Sequence, residues 1–339
     1  MKRMTICLLV ILMSSVGCKG SMDNYYISEA MDNLEKISSY EGVILEKGLM
    51  ESGDIKTRVV FSRDGFLYAE VLAPKAFRGD VFLNNGSDMF IYYAASRFGI
   101  RIRGFYTVIN DSAEKWRKRT RERLEKSAAE NEIDWRGSVQ VAKRKAYYFT
   151  IDPLKKGDYR LAEKLWSDAD YSFPLKLEMY KDNKLFYAFH FESIVYNKKQ
   201  SIERDYSFPG GTVVATWDMT SKGYSISAIK KGLNFKLKVP CSLPKRMVLK
   251  KIVRAKGVIP AACLIYCSDI HYILLSEVRD YGIIKICPKG IVIPSIDTTA
   301  RLLLLGDIST ITWKDRGVSL TLTGTLPYQE MIDIAKNVK

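Results

Sequence analysis

Histidine is almost missing: 339 residues hold two, His190 and His271. His190 lies in a run of alternating aromatics, where a satisfied or solvent-facing ring is the plain reading. Also absent are the G-x-S-x-G elbow, the P-loop, the G-x-G-x-x-G fingerprint and the H-E-x-x-H motif, so the chemistries that those spacings serve have no sequence support. Carboxylates are plentiful, but sequence alone pairs none of them across space, and no catalytic residue or cofactor is assigned. Beyond the N-terminus no apolar run reaches the roughly 20 residues that a membrane helix needs. The densest, Arg301-Leu302-Leu303-Leu304-Leu305-Gly306, is far too short. Cysteine is sparse as well. Besides Cys7 and Cys18 there are Cys241, Cys263, Cys267 and Cys287, which allow three pairings. On a strand, Cys263 and Cys267 would stand about 13 Å apart, too far to bond each other; no disulfide is assigned. Cys263, Cys267 and His271 would share one face of a helix and suggest a metal. Ser268-Asp269 and the β-branched neighbours argue for a hairpin that separates them, so no metal centre is expected.

What is present begins with a leader. Lys2 and Arg3 precede the apolar run Ile6 to Met13, and Ser14-Ser15-Val16-Gly17 leads into Cys18. A charged start, a short apolar core and small residues before the cleavage point are the marks of an exported protein. The cysteine at that point resembles the lipobox of bacterial lipoproteins, with Ser15 where leucine is usual. That resemblance implies cleavage before Cys18, lipidation of Cys18 and anchoring to the cell envelope, on the outer face of the cytoplasmic membrane or on the outer membrane. Residues 1–17 are then a signal peptide and residues 18–24 a polar tether.

The remaining 322 residues (339 − 17) suffice for two domains. Their formal charge is +13, from +15 less Lys2 and Arg3. Much of the excess falls between Arg97 and Lys145, as either a local patch or a solvated face. For an exported protein the matching partners are anionic lipid headgroups and cell-wall polymers rather than nucleic acid. The basic stretch Trp116 to Lys126 reads most simply as a surface helix with i,i+4 pairs such as Glu114–Lys118.

Apolar spacing predicts a helix over Asn24 to Ser38 and a charged helix over Asp111 to Asn131. Short alternating runs predict strands at Tyr40 to Leu49, Ile55 to Arg63, Gly65 to Leu72, Val81 to Asn84 and Met89 to Ala94. Further strands are expected at Ser138 to Val141, Ala146 to Ile151, Leu161 to Ser167, Leu175 to Tyr180 and Leu185 to Val195, with Lys181-Asp182-Asn183-Lys184 as a hairpin turn. Thr212 to Lys231 reads as a linker or a last strand with a connection. A second β-rich unit follows, with strands at Leu233 to Val239, Val258 to Tyr266, His271 to Val278, Gly282 to Ile286, Ile308 to Trp313 and Val318 to Thr323. A helix from Tyr328 to Val338 closes it. The fold class is α+β, mostly antiparallel β.

Several stretches resemble, in order, the LolA/LolB lipoprotein-carrier superfamily and the RseB/MucB envelope-stress regulators. They are Ser39-Tyr40-Glu41-Gly42, Ala73-Pro74-Lys75-Ala76-Phe77-Arg78-Gly79 and Asn85-Gly86-Ser87-Asp88-Met89-Phe90-Ile91-Tyr92, then Lys164-Leu165-Trp166-Ser167-Asp168 with Phe173-Pro174-Leu175. In the second unit, Leu243-Pro244, Tyr266-Cys267-Ser268-Asp269 and Ile311-Thr312-Trp313 are similar to the RseB ending. The resemblance implies a half-barrel with covering helices over residues 25–217, a linker over 218–232 and a smaller α+β domain over 233–339. It also implies a hydrophobic cavity for an acyl chain, lipid or lipoprotein. Candidate liners are Phe61, Val71, Phe90, Tyr92, Tyr187, Phe189 and Phe191. The expected role is non-enzymatic, as a carrier or sensor. A regulator that binds an anti-sigma factor or other membrane protein is the alternative, and a cell-surface structural module a remote one.

Overall fold

The computed structural model describes residues 21–48, 54–106, 112–154, 161–198, 204–231, 233–244, 246–256, 259–279, 291–293, 295–297, 300–305 and 308–339. The signal segment, Cys18, Cys287 and the strand expected over Gly282 to Ile286 lie outside the described residues.

Helix α1 (Ser21–Glu35) leads into β1 (Ser39–Gly48), β2 (Ile55–Ser62), β3 (Phe66–Ala73), β4 (Val81–Asn85), β5 (Met89–Tyr93) and β6 (Phe98–Arg103). Helix α2 (Ala113–Glu130) precedes β7 (Asn131–Val141), β8 (Arg144–Pro153), β9 (Ala162–Asp168), β10 (Pro174–Lys181), β11 (Lys184–Tyr196) and β12 (Val213–Asp218). These twelve strands form one open sheet in the order β12-β6-β5-β4-β3-β2-β1-β11-β10-β9-β8-β7. All neighbours are antiparallel except β12, which runs parallel to β6. Chain neighbours joined by tight turns make most of the ladder. Asp182 and Asn183, with φ of 49° and 60°, turn β10 into β11, since Asp and Asn tolerate the left-handed region that such hairpins need.

Short helix α3 (Ile226–Lys230) leads to a second sheet of β13 (Val248–Arg254), β14 (Ala261–Cys267), β15 (Tyr272–Arg279), β16 (Ile291–Val292), β17 (Arg301–Leu305), β18 (Ile308–Asp315) and β19 (Val318–Gly324). Its order is β13-β14-β15-β19-β18-β17-β16. Helix α4 (Tyr328–Lys336) buries Met331, Ile332, Ile334 and Ala335 in the core that also holds Ile311, Leu320 and Leu322. Ile311 and Leu322 are cross-strand partners, so α4 covers one face of this sheet.

Several expectations change. Helix α1 opens at Ser21, so part of the stretch read as tether is helical. The strand expected over Ser138 to Val141 starts at Asn131; a bulge between Trp135 and Gly137 breaks the alternation that would have revealed it. Leu233 to Val239 forms no strand. Both carboxylate oxygens of Glu277 accept from the Lys238 amide, at 3.1 and 3.0 Å, where a ladder partner would stand. Strands β6, β13, β16 and β17 fall outside the predicted runs.

The two sheets are held together by a shared apolar cluster, which joins Ile100 and Trp217 of the first to Cys263 and Leu274 of the second, by helix α2 and by backbone. Ser112 caps α2, its Oγ accepting from the Lys115 amide. The buried stripe of α2 is Trp116, Arg119, Thr120 and Leu124. Half of it is polar, so it is invisible to an apolar-periodicity reading. Arg119, only 1% exposed, donates to the Ile270 carbonyl at 2.9 Å. Arg123 donates to the Thr325 carbonyl at 2.8 Å. Thr216 of β12 and Lys256, just past β13, exchange backbone hydrogen bonds of 3.0 and 2.8 Å. The basic stretch between Arg97 and Lys145 is therefore not a free patch: Arg101, Arg117 and Arg144 also serve internal carboxylates, those of Asp88, Glu35 and Asp168.

Candidate functional site

Between the inner face of the large sheet and the uncovered face of the small one lies a cavity of about 330 Å³. Strand alternation decides its first wall. On β3 the inward positions are Leu67, Ala69 and Val71; on β5 they are Met89, Ile91 and Tyr93; on β6, Ile100 and Ile102; on β11, Tyr187, Phe189 and Phe191. This wall is aliphatic and aromatic.

The second wall differs in chemistry. Ser276 of β15, Thr321 of β19, Thr312 of β18 and Arg301 of β17 are successive cross-strand partners, and all four line the cavity. Strand pairing thus forms one polar row across four strands. The next row holds Thr323 and Thr310, whose hydroxyls stand 3.1 Å apart, beside Leu274. Buried polar atoms are rarely left without partners, yet the indole N–H of Trp217, which also lines the cavity, meets no acceptor among the described residues.

Two carboxylates border the apolar wall. The Tyr187 hydroxyl donates to Glu46 at 3.3 Å, and burial together with that neighbour holds the phenol well above its usual range. Asp80 accepts from the Ala94 amide at 2.9 Å. On β9, outside the cavity lining, burial pushes the carboxyl of Glu163 up to about 7.

Of the residues singled out from sequence, Val71, Tyr187, Phe189 and Phe191 line the cavity from the inner face. Tyr92 touches it, but its ring packs 6.3 Å from that of Phe208 on the outer face. Phe90 lies wholly in that outer cluster, with Tyr206 and Phe208 at ring distances of 5.6 and 5.9 Å. The stretch carrying Tyr206 and Phe208 covers the outer side of β5, so β5 is apolar on both faces and its phase cannot be read from sequence. Gly99 gives that strap its room, for a Cβ there would meet Phe208 at 2.7 Å. Phe61 sits in the core against Tyr40, 5.2 Å between ring centres, rather than on the cavity. The threonine wall was not foreseen.

The other groups weighed from sequence stand elsewhere. Burial, then Lys47 and Lys176, lowers the pKa of His190. His271 Nδ1 is 3.0 Å from the Thr325 carbonyl. Cys241, Cys263 and Cys267 are free thiols, and burial raises Cys263 to about 12. Among the described residues no three His, Cys, Asp or Glu side chains gather as a metal site.

No family model matches the chain, and no curated protein sequence matches it significantly. Solved structures do. The fold is similar to that of MucB. One MucB crystal structure aligns with 94% of this chain and 98% of its own at 14% identity and a TM-score of 0.46. The MucA/MucB complex from Pseudomonas aeruginosa aligns over 92% and 98% at 14% identity and a TM-score of 0.40. An outer membrane lipoprotein-sorting protein domain from Vibrio parahaemolyticus aligns over 52% of this chain and 92% of its own, at 13% identity and a TM-score of 0.26. The shared feature with MucB is the mostly antiparallel α+β architecture with its open sheet. Likeness at this level carries nothing about ligand or partner.

Proposed function

We propose that this chain is a non-enzymatic envelope lipoprotein, anchored through Cys18, that binds an amphipathic molecule in the cavity between its two sheets. The class of ligand is an acyl chain carried on a lipid or lipoprotein. A single observation carries this reading: one cavity, within the size range of small-molecule sites, has an aromatic and aliphatic wall facing a row of hydroxyls and one guanidinium. Apolar chains gain by leaving water for the first wall. Hydroxyl and carbonyl groups of the same ligand keep their hydrogen bonds on the second. The division into a unit of residues 25–217, a linker over 218–232 and a unit of residues 233–339 belongs to this proposal.

Of carrier and sensor, the sensor is favoured by the cavity having one wall on each sheet. A ligand that alters the spacing of the walls strains the Arg119 and Arg123 ties between α2 and the second sheet, and a partner touching both sheets can read the change. The partner would then be a membrane-bound regulator.

The test is native mass spectrometry of residues 19–339, which keep every described element, before and after organic extraction. A co-purified lipid mass that extraction removes, and that Ala69→Trp prevents by filling the cavity while circular dichroism stays unchanged, is the expected result. A clean apo mass with no uptake of added fatty acid or lipopeptide would sink the proposal.

A further inference from the structure

The sequence carries a second charge asymmetry, away from the cavity. From Met219 to Ser268, 50 residues hold eleven Lys and Arg and no Asp or Glu. At the chain's average of 38 acidic residues in 339, a stretch of this length would hold about six.

Folding brings this segment together. Tyr224 donates its amide to the Ile252 carbonyl at 2.9 Å, and Lys251 Nζ donates to the Met219 carbonyl at 2.8 Å. The stretch from Met219 through α3 therefore lies beside edge strand β13. Lys238 is buried and paired with Asp315. By contrast Lys222, Lys230, Lys231, Lys236, Arg246, Lys250, Arg254 and Lys256 are exposed, and none forms a salt bridge among the described residues. At the border, Lys256 helps to hold the Asp218 carboxyl below its usual range, after Thr220 and Arg103. At the other end Lys115 of α2 joins Lys250 beside Cys267.

The same segment exposes apolar side chains. Ten large apolar residues are exposed among those described, and four of them are here: Tyr224, Ile226, Val248 and Leu249. Cations alone suit any polyanion. Cations interspersed with exposed aliphatic and aromatic groups suit a surface that is anionic outside and apolar just beneath, which is a phospholipid leaflet.

We infer that the face formed by β13 and the Met219–Lys231 stretch docks on a membrane rich in anionic phospholipid. The cations meet headgroup phosphates, while Tyr224, Ile226, Val248 and Leu249 enter the interface. This contact is separate from the cavity and from any N-terminal anchor, and it sets how the second sheet sits on the bilayer.

The test is co-sedimentation of residues 19–339 with vesicles of phosphatidylcholine alone and of phosphatidylcholine with phosphatidylglycerol. Binding is expected only to the second kind, with loss in high salt. Reversing Lys231, Lys250 and Arg254 together to Glu should weaken it at least about a hundredfold, at roughly fivefold per cation removed and before the repulsion of the three new carboxylates is added. The milder pair Val248→Ser and Leu249→Ser should weaken it in low salt without changing the circular dichroism. Equal binding to pure phosphatidylcholine, or undiminished binding by the triple variant, overturns the inference. So does binding of soluble polyphosphate as tight as that of vesicles and indifferent to Val248 and Leu249, for the partner would then be a free polyanion. The two proposals fail independently: Ala69→Trp should leave vesicle binding intact, and the triple charge reversal should leave fatty-acid uptake intact.

Discussion

Glu277 shows what one buried carboxyl costs this fold. It is fully buried, accepts twice from the Lys238 amide, and burial nevertheless raises its pKa from 4.5 to about 8. Because the folded value lies above the unfolded one, the neutral form is favoured in the native state. The stabilisation is present below about pH 4.5 and is lost as the pH rises through about 8. Thermal melts between pH 4 and pH 9 should show the wild type losing a few kcal/mol over that window, and Glu277→Gln should lose much less. Parallel pH profiles for the two proteins would sink the assignment. A comparable carboxyl, Glu163, points the same way, raised by burial to about 7. At this scale the sequence is nearly silent, since nothing local marks Glu277 as buried.

Among the elements, α2 departs most from its expected role. Its composition reads as a solvated charged helix, and Arg117, Lys118 and Arg121 are indeed exposed. Yet Arg119 is in the core and its guanidinium donates to the Ile270 carbonyl. Arg119→Ala should destabilise the protein by about 2–3 kcal/mol, the range for losing a charged hydrogen bond to a buried acceptor, in urea titrations monitored by tryptophan fluorescence. Arg121→Ala, on the exposed side, should cost less than about 0.5 kcal/mol. Equal effects would mean that α2 does not tie the sheets. Strand β18 teaches a related lesson. Thr310 and Thr312 alternate with Ile311 and Trp313, and the simplest reading of such alternation sends the threonines to solvent. Here both faces of the strand are covered, Ile311 and Trp313 in the core that α4 shares and the threonines on the cavity.

For the whole molecule the decisive feature is that the cavity belongs to neither sheet alone. Its apolar wall comes from strands between residues 39 and 191 and its polar row from strands between residues 272 and 324. The polar row predicts selectivity. Replacing Thr312 and Thr321 together by Val keeps shape while removing two hydroxyls. The ratio of affinities for a monoacylglycerol and for a plain hydrocarbon of equal chain length should then fall about thirtyfold, on the order of 1 kcal/mol for each of the two hydrogen bonds, as measured by displacement of a fluorescent fatty-acid probe. An unchanged ratio would place the ligand's polar part away from that row.

By itself the sequence determined the local elements of the large sheet: alternation and turn chemistry, as at Asp182-Asn183, placed most of its strands to within a residue or two, because hairpin contacts are short-range. It also supplied the mostly antiparallel α+β class, but not the phase of β3, which is apolar on both faces, with Phe66 in the outer cluster and Leu67 and Val71 on the cavity. Tertiary structure alone decided the phase of β5, the burial of Arg119 and the facing of the threonine row onto the aromatic wall. The physical reason is the same in each case. A side chain's surroundings depend on which distant segment covers it, the Tyr206–Phe208 strap on β5 or the second sheet on the first, and periodicity along one strand carries no record of that partner.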